Sequence, residues 1–150
     1  MIRTKVPHIF LILIFFLLID NAYSIQNEWK PAIEGDKIIL IRHSIAPGSG
    51  DPKGFNLQKC NTQRNLSDAG IIQSKKIGKL FKKNKIKIDR VLSSQWCRCK
   101  DTAKIAFKNY EEFSPLNSTF QSPYDKNEKK QIKELKKFIK NWNGNGSNLV

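Results

Sequence analysis

An α/β fold with a largely parallel sheet between helices is the class this chain predicts, and three observations carry it. The short apolar runs Lys37-Ile38-Ile39-Leu40-Ile41 and Ile88-Asp89-Arg90-Val91-Leu92-Ser93 read as strands. Each is followed by a segment of helical periodicity, the alternation that builds parallel sheets. The last residues, Leu149-Val150, read as the start of a further strand. A length of 150 residues holds one modest domain, and no internal repeat or linker divides it.

The elements follow in order. Met1 to Lys5 carries two positive charges, Ile9 to Ile19 is apolar throughout, and Asp20-Asn21-Ala22-Tyr23-Ser24 ends in small residues. This tripartite pattern is that of a secretory signal peptide over residues 1–24, cut before Ile25. An uncleaved membrane anchor is disfavoured, because the run is shorter than the roughly 20 residues that cross a bilayer. Residues 25–150 are then the mature domain, exported to a periplasm or secreted.

Gln26 to Asp36 reads as exposed. The run 37–41 reads as a strand buried on both faces, which delivers Arg42-His43-Ser44 to its C-terminal end. The loop from Pro47 to Gly54 is long enough to wrap a ligand, but its glycines lack the spacing of a nucleotide fingerprint. Ser67 caps the next helix, Asp68 favours its positive end, and Leu66 can staple to Ile71. That helix runs to about Lys83 with Ala69, Ile72, Ile77 and Leu80 on one side. After the second strand, Ser94 is placed to cap a helix whose Trp96, Cys99, Ala103 and Phe107 form a core stripe. Glu111 to Tyr124 reads as loop with a short strand near Phe113. A third helix spans about Asn127 to Trp142, apolar along Ile132, Leu135, Phe138, Ile139 and Trp142, and Asn143 to Asn148 stops it.

Composition narrows the function classes. Twenty-seven Lys+Arg against 13 Asp+Glu give a net charge of +14, and removal of residues 1–24 takes away Arg3, Lys5 and Asp20 to leave +13. Such a charge suits a basic module that binds nucleic acid or an anionic membrane. Lysine supplies 22 of the 27 cations, however, and specific phosphate recognition favours the planar fork of arginine. The lysine runs therefore read as solvated faces; no nucleic acid is expected, and a membrane is met only through the signal segment if it stays uncleaved. Cys60, Cys97 and Cys99 are disulfide candidates in an oxidising compartment. Cys97 and Cys99 face different ways on a helix, which leaves Cys60 as the partner for one of them. Their spacing is a poor match to zinc, so no metal is expected.

Few residues can carry chemistry. His43 is the sole histidine after residues 1–24 are removed, and it stands just past a strand, where open α/β sheets place their ligands. Arg42 is beside it. The second strand repeats the theme, with Ser93-Ser94 at its end and Arg98 in the first turn of the following helix. Two arginines, a histidine and a helix N-terminus at one sheet edge make a phosphate pocket.

Three pieces stand in order: Ile38-Ile39-Leu40-Ile41-Arg42-His43-Ser44, Arg64-Asn65-Leu66-Ser67-Asp68-Ala69-Gly70, and Val91-Leu92-Ser93-Ser94-Gln95-Trp96-Cys97-Arg98-Cys99-Lys100-Asp101-Thr102-Ala103. They resemble the Arg-His-Gly opening, the Arg-x-Leu-(Ser/Thr)-x-x-Gly helix start and the Ser-Ser-x-x-x-Arg-x-x-x-Thr-Ala element of the histidine phosphatase superfamily, also called phosphoglycerate mutase-like. Order and spacing agree over residues 37–103. The resemblance implies a three-layer sandwich and a covalent mechanism without metal or cofactor. His43 would attack the phosphorus of a phosphomonoester and carry the phosphoryl group as phosphohistidine, while Arg42 and Arg98 hold the nonbridging oxygens and water finally releases phosphate. By the same resemblance Ser49 helps enclose the phosphate, and Arg64 either lines the site or braces the loop.

Departures from the family pattern bear on activity. Ser44 stands where the family usually has Gly. Ser118 occupies the place of a glutamate that protonates the leaving group in many relatives, so the acid is unassigned. The family's second histidine ends a late strand in a segment resembling Leu-Val-Thr-His, and this sequence stops at Leu149-Val150. The reading is a C-terminally incomplete domain, because loss of an inner strand would expose its neighbours' edges and apolar faces. The alternative is a catalytically inactive or fragmentary phosphate-binding member. Mutase activity is disfavoured, since phosphoglycerates are cytosolic and the glutamate is missing.

Overall fold

The computed structural model describes residues 28–150, so the signal-peptide reading of residues 1–24 and its cut at Ile25 lie outside the described residues. The sheet is organised around residues 88–93. Strand β1 (Ile88–Arg90) pairs in parallel with β4 (Asn148–Leu149), and β2 (Leu92–Ser93) pairs in parallel with β3 (Glu111–Glu112). Val91 separates β1 from β2, yet the ladder runs past it: Val150 N donates to Arg90 O at 3.0 Å and Leu92 N to Val150 O at 2.7 Å. On the far side of β4, Ile39 N donates to Leu149 O at 2.8 Å and Leu149 N to Lys37 O at 2.9 Å. The lateral order is therefore residues 37–39, β4, residues 88–93, β3, with every pairing parallel.

Helices α1 (Asp68–Lys83) and α2 (Cys97–Phe107) lie on one face of this sheet, and α3 (Glu128–Asn141) on the other. Alternation along the central strand makes the layers. Val91 and Ser93 line a cavity with Thr102, Ala103 and Phe107 of α2, and of the three residues 91–93 only Leu92 also lines one with Leu135, Phe138 and Ile139 of α3. Asn148 is fully buried and ties three segments together. Its Nδ2 donates to Ala32 O and Lys87 O at 2.7 and 2.8 Å, and its Oδ1 accepts from Lys37 N at 3.2 Å. Among the described residues no helix is long and apolar enough to cross a membrane.

Several local readings change. The run 37–41 is not a strand buried on both faces: its ladder ends at Ile39, and Leu40 is 83% exposed because no described strand lies against it there. Residues 28–34 are largely exposed, as expected, but they form a helix, and its half-buried Trp29 packs edge-on against Phe81 with ring centroids 5.8 Å apart. On α1 the buried residues are Gly70, Ser74 and Phe81, whereas Ala69 and Ile72 face solvent. Close approach decides this. A side chain at Gly70 would collide with the Ile45 carbonyl, and one at Gly78 with the Ala106 carbonyl, so the helix turns these two glycines toward neighbouring backbone.

The Ser67 cap forms as expected, its oxygen accepting from Gly70 N at 3.2 Å. Ser94 does not cap α2. The helix starts at Cys97, and the Cys97 amide donates instead to Gln63 Oε1 at 3.0 Å, a capping acceptor supplied from the preceding loop. On α3, Ile132 and Ile139 are 45% and 41% exposed, so its apolar face is only partly covered.

Candidate functional site

The segment that presents His43 is anchored by hydroxyls. Ser44 is buried; its amide donates to Thr102 Oγ1 at 3.0 Å, and its own Oγ accepts from Ser74 Oγ at 2.7 Å. Ser74 in turn lies on the face of α1 that Gly70 brings against Ile45. The serine that stands where the family usually has Gly thus has a hydroxyl partner across the helix, and both groups are satisfied in the core.

His43 Nδ1 lies 2.7 Å from Ser44 O. A carbonyl oxygen only accepts, so Nδ1 carries the proton of the neutral ring and Nε2 keeps its lone pair. Burial holds the His43 pKa below the ordinary 6.5, with Arg98, Arg64 and Arg42 adding to the fall and the Ser44 carbonyl opposing it. The result is a neutral imidazole with an available nitrogen among three guanidinium groups.

A cavity of about 330 Å³ opens beside it, lined by Arg42, His43, Ser49, Arg64, Arg98 and Cys99 among others. All five residues expected to act on a phosphate therefore line one cavity. Ser49 comes from the loop after His43, whose Gly48 and Gly50 have φ of 90° and 66°. This left-handed backbone favours glycine and folds the loop back over the cavity. Arg64 both lines the cavity and braces that loop: Nε donates to Gly50 O at 2.8 Å, and Nη1 to Ala46 O.

Arg98 is the most constrained cation. Its side chain is 7% exposed and its Nη1 reaches Asp51 Oδ1 at 2.8 Å and Oδ2 at 3.1 Å. Asp51 also accepts from Arg64 N and from Trp96 Nε1, both at 2.9 Å. Burial alone would raise the Asp51 pKa, but these hydrogen bonds and the Arg98 charge bring it below the ordinary carboxylate value. Arg98 Nε, in contrast, is buried with no hydrogen-bond partner. An unpaired buried donor is costly.

Asp51 and Trp96 are residues that sequence reasoning missed. Trp96 read as core alone; it is 2% exposed, but its indole nitrogen orients the Asp51 carboxylate and the residue lines the cavity. It precedes α2 rather than belonging to its stripe. Gln121 closes the arrangement, accepting from Asp51 N at 2.9 Å and donating to Asp51 O at 3.0 Å. Leu116, Ser118 and Phe120 form the remaining wall.

Cys60 and Cys97 form a disulfide, and Cys99 is free. The bridge ties the loop to the residue next to Arg98. Burial pushes the Cys99 pKa up, so it is held as a thiol. Among the described residues no group of three or more His, Cys, Asp or Glu is placed to hold a metal ion.

The model of the histidine phosphatase superfamily (branch 1) matches residues 38–145. No curated protein matches the chain. Among solved structures, the fold is similar to one from Agrobacterium tumefaciens that carries the name phosphohistidine phosphatase SixA, at 18% identity and a TM-score of 0.48, over 75% of this chain and 64% of that one. The chain thus spans less than two thirds of that protein's length.

Proposed function

This chain belongs to the histidine phosphatase superfamily, branch 1, and from that premise we propose that it hydrolyses a phosphomonoester through a phosphohistidine on His43. One observation carries the reading: the Nδ1 proton is engaged by Ser44 O, which leaves Nε2 unprotonated at a cavity lined by Arg42 and Arg98. In the first step Nε2 forms a bond to phosphorus as the bond to the leaving oxygen breaks. In the second, water displaces the histidine and phosphate leaves. Arg98 and Arg42 hold the nonbridging oxygens. Ser49 encloses the phosphate, and Arg64 holds the loop that carries it.

A phosphate-binding member without turnover is the second reading. Its support is that Asp51, the sole carboxylate lining the cavity among the described residues, is committed to Arg98, Trp96 and Arg64 and holds its proton poorly. Phosphate release from 4-nitrophenyl phosphate separates the two. Release that vanishes in His43→Ala and persists in chelator supports the enzyme; phosphate binding without release supports the alternative.

Export belongs to the same proposal. The signal pattern of residues 1–24 and the Cys60–Cys97 disulfide both suit an oxidising compartment. N-terminal sequencing of the protein from fractionated cells is expected to begin at Ile25; an intact Met1 in the cytosolic fraction would contradict it.

A further inference from the structure

Resting on the phosphate site just described, we propose that the substrate is an aryl phosphomonoester whose ring is received by Phe120 at the mouth of the cavity. Phe120 is 77% exposed and lines the cavity, so its ring is open to a ligand there. It is not a loose surface residue. Its neighbour Gln121 makes two hydrogen bonds to the backbone of Asp51, and the Phe120 amide donates to Ser118 Oγ at 3.3 Å. The ring stands near Gly50, where an added Cβ would come within ordinary contact, 3.9 Å, of Phe120 Cε1. The aromatic is thus held on the rim by the same carboxylate residue that positions Arg98.

The lining of the cavity is of two kinds. Arg42, Arg64 and Arg98 around the neutral His43 make part of it cationic, and one carboxylate offsets part of that charge, which suits a single phosphate. Leu116, Ser118, Phe120 and Gln121 make the other wall neutral, with two apolar side chains. A volume of about 330 Å³ is at the low end of small-molecule sites, roughly 300–1,000 Å³, enough for a phosphate and one small group. A flat uncharged ring stacked or edged on Phe120 fits that wall, whereas a polyol or sugar would leave its hydroxyls against Leu116 and Phe120.

The test compares nonhydrolysable ligands by calorimetry on the whole chain: inorganic phosphate, methylphosphonate and phenylphosphonate. An aromatic contact changes affinity by about two- to tenfold, so phenylphosphonate is expected to bind that much more tightly than methylphosphonate. Phe120→Ala should erase the difference, Phe120→Trp should keep it, and Ile72→Ala, on the exposed side of α1, should keep it too. Equal binding of the two phosphonates while inorganic phosphate still binds would overturn the assignment of the ring and leave the phosphate site intact. A preference that survives in Phe120→Ala would also overturn it, and failure of all three ligands to bind would overturn both readings.

Discussion

The carboxylate of Asp51 grips the guanidinium of Arg98 at 2.8 and 3.1 Å, with the two side chains 3% and 7% exposed. The pair does not stand alone, because Trp96 Nε1 and Arg64 N complete the coordination of the carboxylate. Removal of one partner from a buried pair leaves the other charged and uncompensated, at a cost of about 3–5 kcal/mol. Asp51→Ala is therefore expected to lower the urea unfolding free energy by roughly that much and to weaken phosphate binding as well. A loss below about 1 kcal/mol would mean that solvent reaches Arg98 freely.

The Cys60–Cys97 bridge closes a segment with a sequence separation of 37. The chain-entropy account gives about 3–4 kcal/mol for a loop of that size. Cys60→Ser should destabilise the protein by that order, and it should raise KM, because Cys97 adjoins Arg98. Mass spectrometry of the unreduced protein is expected to show one free thiol, on Cys99.

Gly70 packs directly on Ile45, one residue beyond Ser44. In an ordinary helix Gly→Ala gains about 1 kcal/mol from propensity. Here the added methyl meets backbone rather than a flexible side chain, and overpacking costs about 1–3 kcal/mol. Gly70→Ala is expected to lower stability and phosphatase activity together, since relief of the clash displaces the segment that presents His43. Ile72→Ala, on the exposed side of the same helix, should leave both nearly unchanged.

Burial, with help from Arg98, Arg64 and Arg42, holds His43 below 6.5. An unfolded chain takes up this proton near 6.5, and the folded one only at lower pH. Between those points the unfolded state binds more protons, so this contribution to stability is complete above 6.5 and declines as pH falls below it. Catalysis by a neutral imidazole follows the same direction. The acid limb of kcat/KM is expected to break below pH 6.5, and a break above it would contradict the neutral-nucleophile geometry.

Much of this site was legible because its residues sit at element ends that local chemistry defines. The run 37–41 pointed to Arg42 and His43, and Ser93-Ser94 pointed to Arg98 at the start of a helix. The partners that hold these residues were not legible. Asp51 lies in an irregular loop 47 residues before Arg98, and nothing local to either residue announces the pair. Gln63 caps α2 from a distance of 34 residues, which displaced the local candidate Ser94. The buried side of α1 was misjudged for a related reason. Apolar periodicity favours Ile72, but the close approaches at Gly70 and Gly78 turn the glycine side toward neighbouring backbone. Trp96 read as core, and it is; its hydrogen bond to Asp51 depends on a fold that periodicity does not encode.

The central claim is that His43 Nε2 forms a covalent bond to phosphorus. Brief reaction of the protein with a ³²P-labelled aryl phosphate, an alkaline quench and peptide mapping test it most directly. An acid-labile, alkali-stable label on the peptide containing His43, absent from His43→Ala, is the predicted result. Turnover with the label on another residue, or undiminished phosphate release by His43→Ala, would contradict it.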